Sequence, residues 1–316
     1  MKMNEKQVAL AVPDLVSNSF FPAIAAVELG FFKDEGLEAR TALIFPNYRT
    51  FEALRDGTVD LVAGPAHAAL LACPRWQGLK LLGALAQGLF WVLVMRTDLP
   101  ATPGNVGAVR GRTLGAAPLV DLTLKRLLAD SGIDLVRDGV NIVSVPGAME
   151  PGVSFGVAAA NALEAGAIDG FWANALGAEN AIRSGIGKVV LDVRRGLGPA
   201  SAFHYTFAAL VTSDRAIDRD PDMVRASLRA IVRAQRALTT KPAAAAEVGR
   251  RVFPAKEAAV IADIIARDVA FYQPQISPEA VAGLNGFAQA AGLLNEPVAY
   301  NDLVATGFNK LWTTDA

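Results

Sequence analysis

Hydroxyls, amides, two histidines and two tryptophans stand where this chain turns from strand to helix, and their chemistry is that of gripping a small molecule. Ser17-Asn18-Ser19, followed by Phe20, comes after the apolar run Val8-Ala9-Leu10-Ala11-Val12. One of these three polar residues is expected to cap the next helix, leaving the others for a ligand. His67 follows Gly64-Pro65-Ala66 at another helix start, where an imidazole can donate, accept or move a proton. Ala116-Ala117-Pro118-Leu119 and Trp172-Ala173-Asn174 occupy comparable strand ends, and residues 151–154 form one more helix start. Trp91 and Trp172 offer flat faces for stacking on a ring or alkyl chain, besides core packing. His204 and Tyr205 open a later apolar run. Trp76 and Trp312 read as packing, and Arg110, Arg112, Arg194 and Arg195 as solvated loop residues, any of which can also clamp a carboxylate or sulfonate.

Covalent chemistry is poorly supplied. The one cysteine, Cys73, is flanked by apolar residues and reads as a small buried hydrophobe. It excludes a disulfide within the chain, and no Cys/His cluster offers metal-ligand spacing. There is no phosphate-binding Gly-Lys-Ser/Thr loop and no His-Glu-x-x-His helix. Gly-x-Gly-x-x-Gly is absent after the first strand, against a dinucleotide site there. No cofactor and no metal are expected. His67 is the candidate acid/base should the chain be an enzyme.

The elements that position these groups announce themselves by a repeat. Leu54-Arg55-Asp56-Gly57-Thr58-Val59-Asp60 is echoed by Leu163-Glu164-Ala165-Gly166-Ala167-Ile168-Asp169. Each copy ends an amphipathic helix, turns at glycine and enters a short apolar strand, Leu61-Val62-Ala63 or Gly170-Phe171-Trp172. Each strand then runs into small residues that start a helix. Two similar α/β lobes are implied, with a ligand held in a cleft. Strands are expected at 8–12, 43–45, 59–62, 79–86, 90–95, 113–116, 140–145, 167–172, 187–193 and 203–211. Helices are expected at 20–30, 48–55, 67–72, 120–131, 157–165 and 176–184, then at 222–239, 243–253, 256–271 and 278–291. Regular alternation argues for mainly parallel, doubly wound sheets. The expected division is 1–95 plus 210–316 as lobe 1 and 96–209 as lobe 2, with the C-terminal helices packed on lobe 1.

At 316 residues, 52% hydrophobic and 19% charged, the chain can bury a large core. The formal charge is −1 with acids and bases interspersed, so no basic stripe exists to neutralise phosphates and no nucleic-acid partner is expected. The apolar run at 8–12 is shorter than the roughly 7–15 residues of a secretory signal core. No stretch approaches the ~20 apolar residues of a membrane span, so a soluble chain is expected.

Residues 21–37 carry a phrase of wider meaning. From Ala26 through Gly30-Phe31-Phe32 to Glu35-Gly36-Leu37 they follow A-x-x-x-G-[FY]-[FY]-x-x-[EQ]-G-[LI], and Gly57-Thr58-Val59-Asp60 supplies a later G-x-V-D turn. The chain thereby resembles substrate-binding proteins of the nitrate, sulfonate and taurine ABC-transport group and the related NMT1/THI5-like pyrimidine proteins. The resemblance implies a type II periplasmic binding protein: two Rossmann-like α/β lobes joined by two crossover strands that close on a small organic molecule. It implies ligand positions at 17–19, 64–67, 91, 117–120 and 172–174. Expected partners are a small-molecule ligand and the ABC permease and ATPase subunits, with the protein a monomer. The expected location is the periplasm after removal of an export signal. The alternative is a cytoplasmic enzyme or small-molecule sensor on the same scaffold.

Overall fold

The computed structural model describes residues 6–145, 147–148, 155–241, 243–253 and 255–313. The helix start expected at 151–154 lies outside the described residues. In chain order come β1 (Lys6–Val12), α1 (Phe21–Glu28), α2 (Phe31–Asp34), β2 (Leu37–Leu43), α3 (Asn47–Asp56), β3 (Leu61–Pro65), α4 (Ala69–Ala72) and β4 (Leu79–Ala86). They are followed by β5 (Val92–Arg96), β6 (Thr113–Ala116), α5 (Val120–Asp130), β7 (Asn141–Val143), α6 (Phe155–Glu164), β8 (Gly170–Ala173), α7 (Ala175–Arg183) and β9 (Gly187–Leu191). After β10 (Ala208–Ser213) come α8 (Asp214–Arg219), α9 (Pro221–Thr240), α10 (Ala243–Val252), α11 (Ala255–Asp268), α12 (Pro278–Ala290) and α13 (Tyr300–Leu303).

Among the described residues the strands form two five-stranded sheets, ordered β2-β1-β3-β10-β4 and β7-β6-β8-β5-β9. In the first, β1 runs parallel to β2 and β3, and β10 runs antiparallel to β3 and β4. In the second, β6 runs parallel to β7 and β8, and β5 runs antiparallel to β8 and β9. Each sheet is therefore mixed, with four strands pointing one way and one pointing back. The carboxyl ends of the four fall on a single edge, together with the start of the fifth.

Two compact units carry these sheets. The first holds the described residues up to Gly88 and those from Thr206 on, and the second is Leu89–Tyr205. The sequence placed the first boundary at 95/96, but all of β5 pairs within the second sheet, so the chain changes unit before it. The second boundary, expected at 209/210, falls at 205/206. The expected strand at 203–211 is shorter for a related reason: Ala200–His204 form a 3-10 turn and β10 begins at Ala208.

Other strand limits moved with local chemistry. The strand expected at 43–45 is β2, which ends at Leu43; it is the sheet edge, and Glu38, Arg40 and Thr41 on it hide the apolar pattern. Gly64 and Pro65 were expected at a helix start, yet both belong to β3, where Pro65 pairs with Ala208 and Gly64 with Ala209. Proline is tolerated there because the N–H bond toward that side comes from the next residue, Ala66, which donates to the Phe207 carbonyl at 3.0 Å. β7 keeps only three residues of the six expected.

The cores follow from the patterns. β1 is apolar without interruption from Val8 to Val12, with Leu10, Ala11 and Val12 fully buried, as a strand covered on both faces requires. In the C-terminal part, α9 buries Val224, Leu228, Ile231, Val232 and Leu238 within the first unit. Its Gln235 Nε2 donates to the carbonyls of Ala84 and Leu85, both at 2.9 Å, tying the helix to the end of β4. In the second unit Val92, Val94, Leu163, Ile168, Phe171 and Ala181 form one buried cluster.

Candidate functional site

The carboxyl edge of the first sheet gathers the residues 13–20 that leave β1, Ala66 and His67 beyond β3, and Thr206 and Phe207 before β10. Asp14 organises the first of these loops. Its Oδ1 accepts the backbone N–H groups of Val16 at 3.0 Å and Ser17 at 2.5 Å. Burial pushes its carboxyl up to about 6, against the pull of those two bonds. The expectation that a polar side chain caps α1 is not met: its capping position is Phe20, which makes no side-chain cap bond. The first turn closes through backbone alone, with the Ala23 N–H donating to the Phe20 carbonyl at 3.0 Å.

Ser17, Asn18 and Ser19 are all but completely buried. Asn18 Nδ2 donates to the Asp268 carboxylate at the end of α11, and the Tyr272 hydroxyl donates to the Asn18 carbonyl at 2.7 Å. Among the described residues Ser17 Oγ and Asn18 Oδ1 have no hydrogen-bond partner. His67 is fully buried on the same edge, its Nδ1 hydrogen-bonded to Thr206 Oγ1 at 3.0 Å and its ring edge-on to Phe287 at 5.5 Å. The edge thus offers a hydroxyl, an amide oxygen and an imidazole, supported by two carboxylates. Sequence reasoning missed Asp14, Asp268 and Tyr272. The only sign of Asp14 was its place two residues after β1; the other two lie about 250 residues on in helical sequence with no local mark.

The carboxyl edge of the second sheet gathers Ala117-Pro118-Leu119 beyond β6, Ser144 beyond β7, Asn174 beyond β8, residues 192–195 beyond β9 and Trp91 before β5. A depression of about 220 Å³ opens here, lined by Ala116, Pro118, Leu119, Asp121, Leu122, Ile142, Val143 and Ser144. Leu119 holds a left-handed backbone, φ 69°, a strained state for a leucine that marks the turn into α5. Asn174 caps α7, its Oδ1 accepting the Gly177 N–H at 3.2 Å. Trp91 is buried and tilted against Phe90, ring centres 4.3 Å apart. Arg194, expected in solvent, is buried, its guanidinium 5.6 Å from the centre of the Phe90 ring. Arg110 and Arg195 remain more exposed, paired with Asp138 and Asp192.

Other expected site residues stand apart. Trp172 is wholly buried within β8 and donates its indole N–H to Thr123 Oγ1 at 3.0 Å, beneath α5. The buried Tyr205 donates its hydroxyl to Asp130, in the last turn of α5, whereas Pro118 and Leu119 precede that helix's first turn. Burial and that carboxylate push the Tyr205 phenol up, away from any role as a base. His204 is half-buried, edge-on to Phe203 at 5.0 Å. Gly64 and Pro65 contribute backbone alone.

Little here serves covalent chemistry. Burial pushes the Cys73 thiol up, away from a reactive thiolate. Among the described residues no group of three His, Cys, Asp or Glu side chains could hold a metal, and no helix is long and apolar enough to cross a membrane. The sequence at 152–156 has the Gly-x-Ser-x-Gly spacing of a hydrolase nucleophile elbow, which sequence reasoning missed. Ser154 itself lies outside the described residues.

Solved structures share this architecture. A protein of Bordetella bronchiseptica RB50 superposes with a TM-score of 0.73 at 19% identity, covering 98% of each chain. The alkanesulfonate-binding protein SsuA from Xanthomonas axonopodis pv. citri, bound to MOPS, gives 0.69 at 15% identity, covering 93% of this chain and 96% of its own. The desulfurization enzyme DSZB gives 0.62 at 18% identity, covering 96% and 98%. No curated protein sequence matches this one. At these identities the likeness is one of fold, that of the type II periplasmic binding proteins. The family model described as NMT1/THI5 like matches residues 17–245, from the polar loop after β1 to the start of α10. This chain belongs to the NMT1/THI5-like family.

Proposed function

We propose that this protein is the solute-binding component of an ABC importer, a monomeric periplasmic receptor that hands a small organic molecule to permease and ATPase subunits. One observation carries the reading. Ser17 Oγ and Asn18 Oδ1 are buried polar atoms without partners among the described residues, at the carboxyl end of a strand, the position where open α/β sheets receive ligands. Leaving such atoms unsatisfied costs about 1–3 kcal/mol each, a cost that a ligand's polar groups remove. The second sheet repeats the topology and places the depression at Pro118 and Leu119, with Trp91 nearby in sequence to β5, at its own carboxyl edge. SsuA, a sulfonate-binding protein, supports the reading through the fold it shares.

Capture works by hinge closure. The chain passes between its units at 88/89 and 205/206, and those two passages are the proposed hinge. Ligand favours the closed state only through its differential affinity for it. The ligand is an aromatic molecule, a sulfonate or carboxylate, or a pyrimidine-like ring. Thermal melting against a library of sulfonates, aromatic acids and pyrimidines tests this: at least one class raises the melting temperature. A flat response throughout counts against the reading.

The second reading is an enzyme or sensor with His67 as acid/base. The buried His67–Thr206 pair at the same edge favours it, as does the shared fold of a desulfurization enzyme. Turnover that disappears in His67→Ala, with melting temperature retained, decides for it.

A further inference from the structure

Asn18 is held with a fixed polarity. Its Nδ2 faces the carboxylate of Asp268, which is 1% exposed, and its own backbone carbonyl is fixed by the Tyr272 hydroxyl. An ionised carboxylate only accepts hydrogen bonds, so turning the amide over sets two oxygens face to face. Asp268 therefore dictates that the remaining amide atom, Oδ1, is an acceptor. That atom is buried and, among the described residues, unpartnered. Ser17 Oγ beside it in sequence can donate or accept, because its hydrogen rotates. Two acids, Asp14 and Asp268, bond to this loop. Asp268 and Tyr272 lie beyond the 17–245 segment that the family model matches.

Resting on the solute-binding reading, we infer that Asp268 is a positioning residue that fixes Asn18 as an acceptor, so that the ligand meets this loop with a hydrogen-bond donor. The molecule taken up is then an uncharged or cationic one bearing N–H or O–H, and not an acceptor-only oxyanion. An oxyanion at this loop leaves Asn18 Oδ1 unsatisfied and adds negative charge beside two carboxylates.

Isothermal titration of the full chain with paired probes of near-equal shape tests it. The pairs are benzamide with benzoate and benzenesulfonamide with benzenesulfonate; 4-aminopyrimidine and nitrate extend the two classes. Binding is expected from the donor members, and Asn18→Ala weakens it by about tenfold or more, the loss of one buried hydrogen bond. Asp268→Asn is nearly isosteric and frees the Asn18 amide to turn, so the donor-over-anion preference narrows by about tenfold while thermal melting stays close to wild type. Preference for the anionic members by the unaltered protein overturns the inference and leaves the solute-binding reading standing. So does a preference that Asp268→Asn leaves unchanged. Failure of every probe in both classes overturns the two together.

Discussion

The carboxylate of Asp169 does in the second unit what that of Asp60 does in the first. Asp60 Oδ2 accepts the Ala9 N–H of β1 at 3.0 Å, and Asp169 Oδ2 accepts the Thr113 N–H of β6 at 2.9 Å. Each aspartate's own N–H goes back to the carbonyl of the same partner, at 2.9 and 2.8 Å. Gly57 and Gly166, three residues earlier, both take the left-handed conformation that ends the preceding helix, at φ 75° and 69°. The repeated phrase is thus a helix stop followed by a strand latch. Asp60→Ala or Asp169→Ala leaves a strand N–H short of its acceptor and is expected to cost about 1–3 kcal/mol. The double variant should lose close to the sum, because the two sites share no partner. Urea titrations measure this, and an unchanged midpoint for either single variant contradicts it.

Asp14 gives stability a pH dependence whose sign is opposite to that of a salt-bridged carboxylate. Its folded-state value of about 6 lies above the ordinary 3.8, so the folded protein holds the proton more tightly than the unfolded chain. The contribution is complete below about pH 4, is lost as pH rises toward 6, and amounts to at most about 3 kcal/mol. Asp14→Asn keeps an oxygen for the Val16 and Ser17 N–H groups but cannot ionise. The stability difference, wild type minus variant, should therefore fall between about pH 4 and pH 6 and level off above. Parallel pH profiles would contradict the assignment.

How far the sequence speaks depends on how local the cause is. The twin strands β3 and β8 were legible because glycine stops and apolar runs act within a few residues. β2 was misplaced because an edge strand solvates one side, and Glu38 and Arg40 erase the period. The stretch 203–207 reads as strand from its aromatic residues, yet the chain there turns before pairing, a choice made by distant partners. The candidate site follows the same rule. Ser17, Asn18 and His67 were visible as polar groups at strand ends, whereas Asp268 and Tyr272 join them only through tertiary packing. Trp172 had the right position for stacking, but Thr123, forty-nine residues before it, turns its indole into the core.

The helices α6 and α7 cross at two glycines. A Cβ on Gly156 would sit 2.7 Å from Gly177 Cα, and one on Gly177 would sit 2.6 Å from Gly156 Cα. Both meet backbone, which cannot swing aside as a side chain can. Gly177 also gives its N–H to Asn174, so the crossing and the α7 cap are one structure. Gly156→Ala and Gly177→Ala are each expected to destabilise the protein by about 1–3 kcal/mol through overpacking. The gain in helix propensity from glycine to alanine, up to ~1 kcal/mol, is too small to reverse the sign. Equal or higher melting temperatures for these variants would show that the helices part without cost.

The phrase that carries the family resemblance has a structural occupation. Glu35 pairs with Arg229 at 2.6 Å and Arg233 at 3.5 Å on α9, and Asp34 pairs with Arg233 at 2.7 Å. Arg233 also lies 4.9 Å from the centre of the Phe31 ring, while Phe32 is buried. The glutamate is well covered and faces two guanidinium groups, so removing it leaves like charges adjacent. Glu35→Ala is expected to lower stability by about 1–3 kcal/mol, more than a surface pair contributes. The loss should shrink on adding salt only in part, since the pair is partly shielded from solvent. Ligand affinity should stay within about twofold of wild type, because α2 lies after the loop that holds Ser17 and Asn18 and bonds to α9 instead. A large drop in affinity with unchanged melting would move this phrase from the scaffold into the binding site.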